Sequence, residues 1–242
     1  MGIVSYLNQL FLSQAYDPHP FWGIFLNKSY IDRRELMSFM RRTGQSIVAG
    51  SDVLDFGCGG KPYRGCFDKN LNYVGLEYDT PGNREHSKAD VFYDGDEFPF
   101  PDDSFDAVLC TQVLEHTNKP DFYVKEMRRV MRDGGKAIIT VPFMFQQHAK
   151  PYDFFRYSEF GLRHILEKNG FIIEKLEKNP KGLSVIFVLL SNQMPRFKSD
   201  WMNGLVWVTL GAFLNIMGLL FKSRKDSDLF LNLLVSARVT KP

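Results

Sequence analysis

Cysteine is scarce and unpaired in this sequence. Cys58, Cys66 and Cys110 form no CxxC pair and have no histidine at metal-ligand spacing. That argues against a disulfide framework, against a structural zinc site and for a reducing compartment; no metal is expected. A strong excess of one charge is missing too: 30 Lys and Arg stand against 28 Asp and Glu, a net +2. Nucleic acid is therefore not an expected partner. The first residues, Met1-Gly-Ile-Val-Ser-Tyr6, lack the charged region of a secretory leader, and Tyr6 stands where a myristoylation signal needs Ser or Thr. Neither export nor that anchor is expected. The glycine run Gly57-Cys-Gly-Gly-Lys-Pro62 lacks the third glycine of G-x-G-x-x-G, so a dinucleotide pyrophosphate has no fingerprint here.

What is present is ordinary for a globular protein, 44% hydrophobic and 24% charged, with 22 Phe. A chain of 242 residues suits one α/β domain with additions. The organising stretch is Asp52-Val-Leu-Asp-Phe-Gly-Cys-Gly-Gly60. Val53, Leu54 and Phe56 make a buried strand. The glycines allow positive φ and close backbone approach to a ligand. Asp55, a lone carboxylate in an apolar run, must be hydrogen-bonded; it either holds the turn or touches the ligand. A second strand, Asn72–Leu76, ends at Glu77, 20 residues after Gly57. An acid there is placed for both hydroxyls of a ribose, with Asp79 as the competitor.

The pattern continues along the chain. Pro81–Lys88 is expected to be a polar loop. Ala89–Tyr93 is a short strand, after which Asp90, Asp94 and Asp96 compete to read an adenine edge. Asp106–Cys110 is a buried strand, and Thr111–His116 leaves its tip. Thr117 or Asn118 caps a helix over Asp121–Met131 that Gly134 and Gly135 stop. Lys136–Val141 is the fifth strand, Ser158–Asn169 a helix closed by Gly170, and Phe171–Leu176 the sixth strand. Asp228–Arg238 is the seventh. Alternation of this kind predicts a parallel sheet with right-handed crossovers and ligands at the strands' carboxyl ends. Before it, residues 1–50 form a helical cap: a short helix over Ile3–Phe11, a break at Asp17-Pro-His-Pro20, and a helix opened by the capping box Ser29-Tyr-Ile-Asp32 and running to about Arg42.

Val53-Leu-Asp-Phe-Gly-Cys-Gly59, Tyr73-Val-Gly-Leu-Glu77, Phe98-Pro-Phe-Pro-Asp-Asp-Ser-Phe-Asp106, Val113-Leu-Glu-His116 and Arg129-Val-Met-Arg-Asp-Gly-Gly-Lys136 together resemble the class I S-adenosylmethionine-dependent methyltransferases, type 11 subgroup. The resemblance covers about residues 50–176. It implies a Rossmann-like sheet of seven strands, mostly parallel with the last strand antiparallel, and S-adenosyl-L-methionine as cofactor. It implies cofactor contacts from Asp55, Gly57, Cys58 and Gly59, from Glu77 and Tyr78, from Asp94 and Gly95, and from Gln112. Asp94, four residues before Phe98, takes the family's acidic position. Lys61-Pro62 departs from the small residues usual after the glycines and leaves the start of the first helix open.

The loop Pro142–Tyr157 leaves the fifth strand beside the expected methyl group. Methyl transfer is in-line displacement, so positioning dominates, with a base needed for a hydroxyl acceptor. Histidine suits that role, its ordinary pKa being about 6.5. His148 is the first candidate and His116 the second, with Tyr152 beside them; a hydrogen-bonded loop histidine is the alternative for His148. Asp153 and Arg156 either meet the acceptor or pair with each other.

Residues 177–227 form a hydrophobic insertion before the last strand, residues 228–242. Within it Leu183–Leu190 is apolar, and Trp201–Phe221 carries no charge over 21 residues, between Arg196 and Lys198 on one side and Lys222, Arg224 and Lys225 on the other. That is long enough to span a bilayer. A span would put the two flanking strands of one sheet on opposite sides, and Leu183–Leu190 is too short to return. Gly204, Gly211 and Gly218 recur every seven residues and predict close packing on one face. Trp207, Leu210, Leu214, Met217 and Phe221 lie opposite, for a membrane surface or a second copy through 183–221. The whole, 1–242, reads as one methyltransferase domain, cytoplasmic or peripheral on the inner face of a membrane. It acts on a small-molecule, glycan or lipid-linked acceptor, by O-methylation. The alternative is a catalytically silent cofactor-binding or membrane scaffold protein.

Overall fold

The expected alternation is realised in the computed structural model as one sheet. The structure describes residues 17–195, 197–221 and 227–241. In chain order the strands are β1 Asp52–Phe56, β2 Asn72–Tyr78, β3 Val91–Tyr93, β4 Phe105–Thr111, β5 Met131–Pro142, β6 Phe171–Lys181 and β7 Phe230–Val239. They lie in the order β3-β2-β1-β4-β5-β7-β6. β1 pairs in parallel with β2 and β4, β2 with β3, and β4 with β5; β7 runs antiparallel to β5. The seven-stranded α/β sheet and its antiparallel last strand are as expected, but β7 lies inside the sheet between β5 and β6. Every residue of β7 but Arg238 is buried, which an interior strand requires.

The helices are α1 Gly23–Leu26, α2 Tyr30–Gly44, α3 Pro81–His86, α4 Pro120–Val130, α5 Glu159–Lys168, α6 Leu183–Asn192, α7 Asp200–Val206 and α8 Ala212–Leu220. Several expectations need correction. The polar loop over 81–88 contains α3, because the Thr80 side chain accepts a hydrogen bond from Asn83 N and Pro81 begins the first turn. Neither Thr117 nor Asn118 caps α4; Lys119 precedes it without a side-chain cap. Met131 begins β5 instead of ending α4. Lys61-Pro62 leads to a 3-10 turn at Arg64–Cys66 in place of a first long helix. The helix expected over Ile3–Phe11 lies outside the described residues, as do Arg196, Lys222, Arg224 and Lys225.

Two compact units divide the chain. One combines residues up to Ser38 with Lys178–Leu231; the other combines Phe39–Glu177 with Asn232 onward. The second unit holds the sheet's buried heart, with Val53, Leu54, Val108, Leu109, Ile138 and Ile139 at 0% exposure.

In the first unit the apolar insertion folds as α6 and as one long helix, α7 to α8, joined by a π turn at Trp207–Gly211. Ser184 Oγ donates to the Gly218 carbonyl (2.9 Å). The Asn215 amide, almost fully buried, donates to the Ile24 and Asn27 carbonyls at 2.8 and 2.9 Å. The glycine stripe is close-packed at one end only. A Cβ at Gly218 would lie 2.3 Å from Ile31 Cδ1 and 3.3 Å from Phe187 Cβ, one at Gly211 an ordinary 3.4 Å from Met194 Cε, and one at Gly204 would meet nothing within 4 Å. The outward face matches expectation only in part: Leu210 and Phe221 are exposed, but Leu214 is buried, and Trp201, Leu205, Phe213, Ile216 and Leu220 are exposed as well. The π turn adds a residue to one turn and so rotates everything beyond it.

Candidate active site

The site grows out of the end of β1. Gly57 N and Cys58 N both donate to the Leu76 carbonyl (2.9 and 3.3 Å), so the chain curls over the end of β2. Gly57 sits at φ +69°, and a Cβ there would lie 2.4 Å from Val113 Cγ2. Only glycine satisfies both constraints. Gly59, at φ +47°, has open space where its Cβ would stand, and its N–H donates to Glu77 Oε2 (2.9 Å). Glu77 Oε1 accepts from Tyr78 N (3.1 Å) and Asn83 Nδ2 (3.4 Å). Three N–H donors thus aim this carboxylate and leave it acceptor capacity for two hydroxyls.

A cavity of about 600 Å³ opens along this edge of the sheet, walled by Gly57, Glu77, Tyr78, Asp94, Gly95 and His116 among others. Phe56, Tyr93 and Tyr123 supply an aromatic wall, with Phe56 and Tyr123 ring centres 5.4 Å apart. Tyr123 Oη donates to the Gly95 carbonyl (2.8 Å), holding the loop that carries Asp94. The same loop is anchored further on. Glu126 accepts from Phe98 N (2.8 Å), and Arg129 donates to the Phe98 and Phe100 carbonyls (2.9 Å each). The Phe98-Pro-Phe100 segment and Arg129, 29 to 31 residues apart, are therefore one clamp.

The competing acids separate clearly. Asp79 is engaged bidentately by Arg84 (2.6 and 2.7 Å). Asp90 accepts from Gly75 N (2.6 Å) and pairs with Lys61 Nζ. Asp94 and Asp96 both line the cavity.

Four expected cofactor residues lie off the cavity wall. Asp55 is buried and accepts from Tyr73 Oη (2.6 Å), while its Oδ1 has no partner. Burial pushes its carboxyl up to about 7 against the pull of the Tyr73 hydroxyl. It holds β1 to β2. Cys58 is buried against Gly75, and burial, with the Asp55 and Glu77 charges, pushes its thiol up to about 12. Gly59 acts through Glu77. Gln112, at φ +56°, ties β4 to β5 through Thr140, donating N–H to its carbonyl (2.8 Å) and Nε2 to Oγ1 (3.3 Å).

On the other side of the glycine turn, a 3-10 turn at Leu114–His116 follows β4. His116 and Tyr152 line the cavity, and His148 stands one residue before the cavity-lining Ala149. His116 Nδ1–H donates to the Tyr152 carbonyl (2.6 Å). That fixes the tautomer and leaves Nε2 as the basic nitrogen. Burial lowers the His116 pKa, only partly offset by that carbonyl, so the ring is neutral near pH 7. The two histidine rings meet edge to face, centres 4.7 Å apart. Of the two expectations for Asp153 and Arg156, acceptor contact or mutual pairing, the structure holds the pair. Arg156 donates to both Asp153 oxygens (2.6 and 2.8 Å), and Asp153 also accepts from His148 N (3.0 Å). Arg156 holds the Asp153 carboxyl well below the usual range. This pair orders the loop and sets His148.

Sequence reasoning missed Asn83, Tyr123 and Glu115. Asn83 lies in the segment expected as a polar loop, and Tyr123 in a helix to which no functional role was assigned. Glu115 is fully buried, and neither carboxylate oxygen has a hydrogen-bond partner. Burial pushes it up to about 8; His116 Nε2 lies 3.8 Å from its Oε1. Glu115, His116 and His148 also bring ligand atoms within 4.8 Å of one another, a group close enough to share a metal ion. The linear spacing hides it, since two loops contribute.

The residues present fit S-adenosylmethionine. An aimed carboxylate serves the ribose, the Asp94–Gly95 loop and aromatic wall suit an adenine, and no helix N-terminus waits for a phosphate.

Comparison with known proteins agrees. Residues 54–139 match the methyltransferase domain family. A fatty-acid O-methyltransferase of Mycolicibacterium smegmatis is 32% identical over 142 residues, covering 54% of this chain and 52% of that protein. An uncharacterized methyltransferase of Mycolicibacterium gilvum is 35% identical over 133 residues, 51% of each chain. The chain thus spans about half the length of these curated relatives. In fold it is similar to a SAM-dependent methyltransferase from Archaeoglobus fulgidus, with TM-score 0.57, 16% identity, and 88% of this chain and 98% of that one covered. It is similar also to Haemonchus contortus phosphoethanolamine N-methyltransferase 2 in complex with S-adenosyl-L-methionine, with TM-score 0.58, 16% identity, and 99% and 59% covered.

Proposed function

With residues 54–139 a methyltransferase domain of the class I, S-adenosylmethionine-dependent kind, we propose that this chain methylates an oxygen of a lipid-like or lipid-linked acceptor seated beside His116. One observation carries the reading. His116 lines the cavity as a neutral imidazole, with Nδ1–H committed to Tyr152 and Nε2 free to take a proton. The name of the Mycolicibacterium smegmatis relative, a fatty-acid O-methyltransferase, supports an oxygen acceptor with an apolar body.

S-adenosylmethionine, when bound, would supply an activated methyl group for transfer to an acceptor oxygen. Glu77, held by three N–H groups, grips the ribose and fixes where the methyl group points. The Tyr123–Gly95 bond sets the adenine end. His116 Nε2 takes the proton of a hydroxyl acceptor. The Glu115 carboxyl, 3.8 Å away, then faces an imidazolium that favours its ionised form. With a carboxylate acceptor there is no proton to remove, and His116 orients the oxygen only. His148 keeps the His116 ring from turning, being itself held by Asp153.

Transfer of labelled methyl from S-adenosylmethionine to panels of fatty acids, hydroxylated lipids and lipid-linked sugars tests this. The expected product is a methyl ester or ether. His116→Ala should lower turnover of hydroxyl acceptors about 100-fold with cofactor affinity unchanged. Cofactor binding with no transfer to any acceptor would favour a silent binding protein.

A further inference from the structure

The first unit exposes what a soluble protein hides. Trp201, Leu205, Val208, Phe213, Ile216 and Leu220 all face outward, Trp201 and Leu220 at 74% and 70% exposure. Their spacing is 4, 3, 5, 3 and 4 residues. The step of five, Val208 to Phe213, falls across the π turn at Trp207–Gly211. A π turn needs more residues per turn than an α turn, so the longer step keeps the two halves of one apolar stripe in line. Beside it α6 exposes Leu183, Ile186 and Leu190, again at helical spacing. Single exposed apolar residues are normal, whereas a continuous ridge marks an interaction surface.

We propose that this ridge lies in the surface of an anionic lipid bilayer, the long helix in the plane of the membrane. Three features select lipid over a second copy of the chain. Small residues favour helix–helix contact, yet Gly211 faces Met194 and Gly218 faces Ile31 and Phe187 within the chain, and only Gly204 of the three opens on free space. One open glycine makes no small-residue seam, and the exposed side chains around it are bulky and irregular, which acyl chains accommodate and a facing helix does not. No charged residue occurs from Trp201 to Phe221; Lys198 and Asp200 precede that stretch, and Lys222, Arg224, Lys225 and Asp226 follow it. An uncharged apolar length followed by a cationic excess matches acyl chains beneath anionic headgroups. Trp201 stands at the boundary between the two, where indole rings gather in membranes.

The helix, from Asp200 to Leu220, is long enough to cross a bilayer. Its inner contacts argue against that. The Asn215 amide and the Gly218 carbonyl bond to Ile24, Asn27 and Ser184, so a spanning helix would drag α1 and α6 into hydrocarbon with it. At 10 residues, α6 is too short to return the chain.

The test uses the full chain and sedimentation with vesicles of phosphatidylcholine alone or mixed with phosphatidylglycerol. Wild type should pellet with the anionic vesicles and wash off in alkaline carbonate. The triple variant Leu205→Glu, Phe213→Glu, Leu220→Glu should lose binding at least about tenfold. Its three sites are exposed, so circular dichroism and S-adenosylmethionine affinity should match wild type. That readout separates failure of this proposal from failure of the methyltransferase reading. Wild type left in the supernatant with both vesicle types, or a triple variant that binds equally well, would overturn it. So would a wild-type dimer that the triple variant breaks without any vesicle effect, or resistance to carbonate.

Discussion

The two sides of the glycine turn treat a carboxylate in opposite ways. On the β2 side, Glu77 is half-buried and receives three N–H donors. On the β4 side, Glu115 is fully buried, receives none and is pushed up to about 8. The first is an aimed anion, ready for a ligand's hydroxyls. The second is a neutral acid held beside a histidine, ready to respond to charge. Under the proposed function the contrast divides a binding side from a chemical side, and each can be disturbed alone.

The largest effect should come from His116→Ala on the chemical side, about 100-fold in turnover or roughly 3 kcal/mol of barrier, with cofactor affinity unmoved in calorimetry. A loss of affinity instead would dissolve the distinction. Next is Gly57→Ala, where the two sides touch. The positive φ and the Val113 contact together should cost about 2–3 kcal/mol of stability in denaturant melts. Val113→Ala in that background should recover the contact part alone. Glu77→Ala should weaken S-adenosylmethionine by about tenfold to 100-fold through lost charge-assisted hydrogen bonds, leaving the fold intact.

Glu115→Gln sharpens the comparison through pH. The folded state keeps the Glu115 proton up to about pH 8, whereas the unfolded chain releases it near pH 4.3. Between these values the native state binds more protons, so wild-type stability falls as pH rises. The glutamine variant should match wild type at pH 4 and exceed it increasingly as pH rises to 8; thermal melts at the two pH values decide it. Equal stability at both would mean that Glu115 is ionised and paired. The smallest effect belongs to Tyr123→Phe, which removes one hydrogen bond to Gly95 and should weaken cofactor affinity by about 1 kcal/mol.

The β2 side was largely legible in the sequence. A turn of glycines and an acid 20 residues on are linked by parallel strand pairing, which is local in register and set by short apolar runs. Even so, Asp55 and Cys58 sit in the motif but off the cavity wall: Asp55 alternates with cavity-lining Phe56 along β1, and Cys58, past the strand's end, is buried against Gly75. The β4 side was legible only as candidates. His116 and His148 are 32 positions apart, and their order of importance depends on how the Asp153–Arg156 pair folds the loop.

The insertion shows the same division. Its apolar length and its glycines were visible, but the face it turns outward was not, since a single π turn shifts the register and no residue pattern announces one. The sequence by itself determined the sheet, the cofactor turn and the acid opposite it, because these follow from strand periodicity and backbone sterics. Only the tertiary structure decided which acids are engaged, which histidine lines the cavity, why Glu115 is neutral and which stripe of the long helix is bare. Those depend on burial and on long-range neighbours, and both are properties of the folded chain.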